Sequence, residues 1–154
     1  MKILLAIDGS PYTKKMLAYL TTHEELMAGT HEYTALTVQT PLPPRARAAL
    51  GKAVVDQYYA EQGEKVLGPV DKYLKRHGIN FTTAVKVGPA GETIAKVAET
   101  GGFDLIMMGT QGHGALGKLV MGSVSTQVLA SCQVPVLLVR QAKIVAARAF
   151  SARV

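Results

Sequence analysis

Apolar residues along this chain gather into five short runs, separated by longer stretches with helical spacing. The first, Lys2 to Ile7, is almost wholly apolar, as a central strand covered on both faces requires. Glu32 to Gln39 forms a second run rich in β-branched and aromatic types, and Phe81 to Val87 a third that alternates. Phe103 to Met108 and Val134 to Arg140 complete the set. Ser10 and Pro11 supply an N-cap and a first helical residue for a helix to about Ala28, with Met16, Leu17, Leu20 and Met27 on its apolar face. A longer helical pattern runs from Lys52 to His77 and ends at a capping Gly78; Gly68-Pro69 inside it predicts a kink or a split. Pro89 to Glu92 opens a helix that closes at Gly101-Gly102, and Ser123 to Cys132 gives the last one. Pro41, Pro43 and Pro44 mark Thr40 to Gly51 as a basic, mobile surface loop.

The resulting order, β-α-β-α-β-α-β-α-β, implies an α/β fold: one open parallel sheet with helices on both faces and right-handed crossovers. Ligands of such sheets bind at the carboxyl ends of strands, where the strand order reverses. Asp8, Val38 and Gly109 stand at three such ends.

At 154 residues the chain makes one domain. No apolar run reaches the roughly 18–20 residues of a membrane span, so no membrane partner is expected. The start of the chain is too short in apolar residues for a signal segment, and a single cysteine, Cys132, excludes an internal disulfide. Both features predict a cytoplasmic protein, with Cys132 a small buried apolar residue. Net charge is +6, and beyond Asp104 no acidic residue occurs while Lys118, Arg140, Lys143, Arg148 and Arg153 remain. An anionic partner for the C-terminal half fits that asymmetry, as does an ordinary solvated basic surface. Nucleic acid would fit it too, but no recognition-helix or RNA-binding motif supports that reading.

The densest chemical signal lies between Met108 and Val124, where five of the fifteen glycines follow the fourth apolar run and precede a helix start. Glycine amides can approach an anion closely, and a helix start offers unpaired N–H donors. Two familiar patterns overlap there and fail. Gly112 to Gly117 matches G-x-G-x-x-G but lacks the downstream acid that holds a ribose; Gly112 to Lys118 matches G-x-x-x-x-G-K, but Leu119 stands where a magnesium-binding hydroxyl belongs. A third spacing fits throughout: Gly109-x-x-Gly112, nine residues, then Gly122-Ser123.

That spacing, with Lys2 to Ser10 at the start and Val134 to Val139 at the end, resembles the universal stress protein family, in the branch whose motif binds ATP. The resemblance covers residues 1–140 and leaves 141–154 as a basic tail. It implies a sheet of five parallel strands in the order 3-2-1-4-5, the adenine nucleotide alpha hydrolase-like arrangement. It also implies where a nucleotide sits. Asp8 and the backbone near Ala6 would meet adenine and ribose, Val38 would pair with adenine through its backbone, and Met108 would touch the base. Gly109, Thr110, Gln111, Gly112 and His113 would wrap ribose and phosphates, with Gly114 and Ala115 at the margin. Gly122, Ser123, Val124 and Ser125 would hold the outer phosphates. Gln111 stands where many members carry a basic side chain or His, which lowers expected triphosphate affinity and leaves ATP, with or without Mg2+, against AMP or ADP open. Asp8 is read as free for the ligand because Ser10 caps the helix.

No nucleophile–base–acid constellation and no second carboxylate for a metal is evident, so binding with at most slow hydrolysis is expected. His23, His31 and His77 read as surface residues. The resemblance further implies a homodimer through the edge strand Val136 to Val139, with fold-back of the tail as the alternative cover. A dimeric interaction module that ignores nucleotides is the competing function.

Overall fold

A computed structural model of the protein describes residues 1–110 and 122–140 in full, and 112–113 and 119–120 for the backbone. The main sheet contains β1 (Lys2–Ala6), β2 (Glu32–Gln39), β3 (Phe81–Val87), β4 (Leu105–Gly109) and β7 (Val136–Val139), all parallel, in the order β3-β2-β1-β4-β7. The order is the predicted one, with β7 as the fifth strand. A two-residue hairpin, β5 (Gly112–His113) and β6 (Leu119–Val120), pairs antiparallel within the glycine-rich segment and was not foreseen from the sequence.

Strand β1 explains the layering. Ile3, Leu4 and Leu5 are all fully buried, so successive side chains on both faces need cover. One face packs Ile3, Leu5, Ile7 and Met107 against α1 (Pro11–Thr22) and α4 (Lys52–Arg76), through Met16, Leu20, Leu67 and Leu74. The other packs Leu4, Leu36, Ile106 and Met108 against α5 (Ala90–Thr100) and α6 (Ser123–Ser131), through Ile94, Ala98 and Val128. At the sheet edge, β3 exposes most of its residues, which accounts for its Thr- and Lys-containing alternation.

Three expectations about helices are corrected. The first helix ends at Thr22, because His23 is extended (φ −116°, ψ 111°) and a separate turn, α2 (Glu24–Met27), follows. Thr21 and Thr22 contribute to the stop, since their hydroxyls donate back to the Leu17 and Ala18 carbonyls at 3.1 and 2.8 Å. The proline-rich stretch contains a helix, α3 (Pro44–Leu50), in which Pro44 occupies the first position and Pro43 precedes the helix. There a proline loses no hydrogen bond and its fixed φ suits the helix. Finally, α4 runs unbroken through Gly68-Pro69. Pro69 removes one backbone bond, but Leu67, Val70 and Leu74 are buried on both sides of it, and that packing holds the helix together.

The end of β4 is fixed by a close backbone approach. A Cβ on Gly109 would overlap the Tyr12 carbonyl, so the first turn of α1 lies directly against the strand end. Gly109 is needed for this contact and not for a positive φ. At Gly122 a Cβ would meet no described atom within 4 Å, and its φ of −61° suits any residue. Gly109→Ala is therefore expected to destabilise the protein by about 1–3 kcal/mol, because backbone cannot rotate out of the way. Gly122→Ala should stay within about 0.5 kcal/mol of the parent. Urea unfolding of both variants checks the contrast, and equal midpoints would refute it.

Candidate functional site

The carboxyl ends of β1, β2 and β4 open into a cleft of about 260 Å³. Its floor is the sheet: Ala6 and Ile7 from the end of β1, Leu36 and Val38 from β2, Met108 and Gly109 from β4. Helix starts form the walls. Tyr12 and Thr13 belong to α1, Ala90 and Ile94 to α5, and Gly122, Ser123 and Val124 to the start of α6.

Asp8 and Thr110 give the cleft its described polar edge. After β1 the chain turns through Gly9, whose φ of +77° is the left-handed conformation that favours glycine. Asp8 Oδ1 accepts hydrogen bonds from the Ser10 N–H (2.9 Å) and the Thr13 hydroxyl (2.8 Å), and Asp8 N donates to Thr13 Oγ1 at 3.3 Å. Ser10 makes no side-chain cap bond, so Asp8 secures the start of α1 through one oxygen. That corrects the division of labour read from the sequence. Partial burial pushes the Asp8 carboxyl up, but the hydrogen bonds donated by Ser10 and Thr13 outweigh it, and the net shift is below the usual carboxylate value. Asp8 is thus a carboxylate, and among the described lining residues it is the one with a formal charge.

Thr110 is bound through its backbone and buried at its side chain. Its N–H donates to the Val139 carbonyl at 3.0 Å, which ties the cleft to β7. Its hydroxyl has no hydrogen-bond partner among the described residues, although the residue is only 5% exposed. Beside it, α6 begins at Gly122 without a side-chain cap. Thr126 N donates to the Gly122 carbonyl at 3.1 Å, so the amides of Ser123, Val124 and Ser125 come before the first intrahelical bond.

Nine of the predicted site residues line the cleft together: Ala6, Asp8, Val38, Met108, Gly109, Thr110, Gly122, Ser123 and Val124. Ser125 does not; it is buried in the first turn of α6. Gly112 and His113 are placed only as strand β5, and Gln111, Gly114, Ala115 and Lys118 lie outside the described residues. Ile7, Tyr12, Thr13, Leu36, Ala90 and Ile94 were not foreseen. Leu36 stands two residues before Val38 and so shares its face, and Ala90 and Ile94 are one helical turn apart, so both were within reach of periodicity. Tyr12 reaches the cleft through the Gly109 contact, which no local pattern announces.

His23, His31 and His77 are occupied elsewhere. The first and last bond through Nδ1 to the Tyr19 and Tyr73 carbonyls, at 2.6 and 2.9 Å, near helix C-termini. His31 bonds through Nε2 to the Glu25 carbonyl at 2.8 Å. Cys132 is partly buried, and its sulfur accepts from Val134 N at 3.4 Å. Among the described residues no group of three His, Cys, Asp or Glu could hold a metal, and no helix is long and apolar enough to cross a membrane.

The sequence matches the universal stress protein family over residues 1–140. The chain belongs to that family. A universal stress protein of Thermus aquaticus is 32% identical over 139 residues, which span 90% of this chain and 97% of that one. The Synechocystis universal stress protein Slr1230 is also 32% identical over 139 residues, but this chain spans only 42% of its length. Among solved structures, an Arabidopsis thaliana universal stress protein family protein with AMP bound superposes with a TM-score of 0.67, at 14% identity over 92% of both chains. A universal stress protein in complex with cAMP gives 0.59 at 18% identity, over 90% of this chain and 95% of that one. At such identities the likeness shows the shared fold.

The Asp8 carboxylate carries a pH signature. Its folded value lies below the unfolded one of about 3.9, so its contribution to stability is present above that value and is lost as the pH falls through the folded value. Melting temperatures of the parent should therefore drop further than those of Asp8→Asn between about pH 5 and pH 2. Parallel curves over that range would remove Asp8 from the helix start.

Proposed function

We propose that the cleft binds an adenine nucleotide, and that the protein acts as a regulatory stress-response protein with little or slow hydrolysis. The observation that carries this reading is Thr110, a cleft residue whose buried hydroxyl has no partner among the described residues, beside the uncapped start of α6. A buried hydroxyl without a partner costs roughly 1–3 kcal/mol, and a ligand that supplies the missing bond recovers it. Relatives of the same fold hold AMP or cAMP.

The cleft's chemistry divides as such a ligand divides. Leu36, Val38, Met108 and Ile94 offer apolar surface for a base. The Asp8 carboxylate accepts hydrogen bonds, which suits ribose hydroxyls. Ser123 and Val124 bring helix-start amides, which suit phosphate. Within this reading ATP, with Mg2+, is the fullest ligand, and AMP or ADP follows if Gln111 leaves the outer phosphates short of charge. The sparse set of acids around the cleft supports binding over turnover.

The same reading includes a cytoplasmic location, which a single cysteine fits, and a homodimer. Strand β7 ends the sheet and pairs only with β4 among the described residues, and Val136, Leu137 and Leu138 are only partly buried. An apolar edge of that kind calls for a second strand.

Thermal shift tests the nucleotide. At about 100 times the dissociation constant, AMP or Mg-ATP should add about 2.7 kcal/mol. No shift with any adenine nucleotide would favour the nucleotide-independent dimeric module. Thr110→Val should move two readouts in opposite directions: the free protein gains about 1 kcal/mol from losing an unpaired hydroxyl, while nucleotide affinity falls. If affinity is unchanged, Thr110 is no ligand. For the dimer, gel filtration of the full chain should give twice the monomer mass; a monomer would overturn it.

A further inference from the structure

The nucleotide cleft has one wall in α5 and another in α6, and the contact between these helices is built around a missing side chain. A Cβ on Gly91 would stand 2.6 Å from both Cβ and Oε1 of Gln127, and 2.8 Å from its Cγ. Real Cβ atoms essentially never approach so closely, and the Gln127 Cβ cannot rotate away. Gly91 is buried within helix α5 and has no positive φ, so backbone freedom is not the reason for glycine here. The reason is the distance between the two helices.

Gln127 also ties α6 to α5 chemically. Its Nε2 donates to Glu92 Oε1 at 3.2 Å, and at the far end of the pair Gln133 N donates to Glu99 Oε1 at 3.2 Å. On α5, Gly91 lies between Ala90 and Ile94, both of which line the cleft. On α6, Gln127 lies one turn beyond Ser123, which also lines the cleft. The contact that brings the helices together is therefore one helical turn or less from each wall.

We infer that Gly91 and Gln127 are positioning residues that set the width of the cleft, and so its affinity for an adenine nucleotide, without touching the ligand. The inference rests on the proposed nucleotide site. Relief of a 2.6 Å overlap to an ordinary contact moves the start of α6 outward by about 1 Å, and a displacement of that size at a binding constellation is costly.

The test uses the full chain, AMP as ligand, and two readouts: the dissociation constant by calorimetry, and hydrogen exchange of the Ser123–Ser125 amides without nucleotide. Gly91→Ala should weaken AMP at least about tenfold and speed exchange in that first turn. Moving the glycine across the contact, in Gly91→Ala with Gln127→Gly, removes the overlap at the expense of the Gln127–Glu92 bond, and should recover part of the AMP affinity that Gly91→Ala alone loses. Gly63→Ala is the control. It overpacks Val85, with a Cβ 2.7 Å from Cγ2, at the edge strand β3, away from the cleft lining. It should lower stability and leave AMP affinity alone. Should Gly91→Ala fail to fold, Gln127→Glu is the milder probe: it sets a carboxylate against Glu92 and should weaken AMP severalfold. Unchanged affinity in Gly91→Ala or Gln127→Glu, or a swap that restores nothing, overturns the inference. If the parent itself takes up no AMP, the nucleotide reading falls, and unaltered exchange at Ser123–Ser125 would then overturn the packing claim by itself.

Discussion

Strands β1 and β4 lie side by side and parallel, yet the chain leaves them in opposite directions, toward β2 from one and toward β7 from the other. Right-handed crossovers then put α1 on one face and α6 on the other, and the two connections part above the strand ends. The cleft is what remains. Its position is dictated by topology before any polar side chain is considered, and each polar group in it is an end of something: a strand, a turn or a helix.

Ends of elements are where backbone and side-chain hydrogen bonding runs out. Along the central strands β1 and β4 the sheet is sealed, with Ile3, Leu4, Leu5, Ile106 and Met107 fully buried. At the cleft the same strands finish among groups that differ in how far they are satisfied. Asp8 has one oxygen committed to Ser10 and Thr13, whereas Thr110 commits its amide to β7 and its hydroxyl has no partner among the described residues. The rigid part of the site is thus internally bonded. The chain's surplus of positive charge gives any approaching anion a favourable long-range field.

Much of this could be read in the residues. The parallel sheet followed from continuous apolar runs and its strand order from family resemblance, and Asp8, Val38 and Gly109 were placed at strand ends by position alone. What escaped has a physical cause in each case. The three prolines before Arg45 look like breakers, but Pro41 and Pro43 stand ahead of a helix and Pro44 takes its first position, where a proline loses nothing. Pro69 looks like an interruption, but buried leucines and valines on both sides outweigh the lost bond. Within one motif, Gly109 answers to the Tyr12 backbone while a side chain at Gly122 would meet no described atom, a distinction that letters in a row do not contain. Ser10 has the ideal type for a cap yet makes no side-chain cap bond, while Asp8 accepts from the Ser10 amide and the Thr13 hydroxyl across the turn at Gly9.

Helix α3 contributes no buried side chain to either core, and its attachments run to α4 and, through Leu42 N, to the Tyr59 hydroxyl at 2.8 Å. The stretch between Gln39 and Lys52 therefore adds little to the packing of the sheet. Loop-closure entropy rises only slowly with added length, so this segment can be lengthened, shortened or exchanged at small thermodynamic expense. Because it follows β2, whose Val38 lines the cleft, new recognition could be written there without rewriting the scaffold.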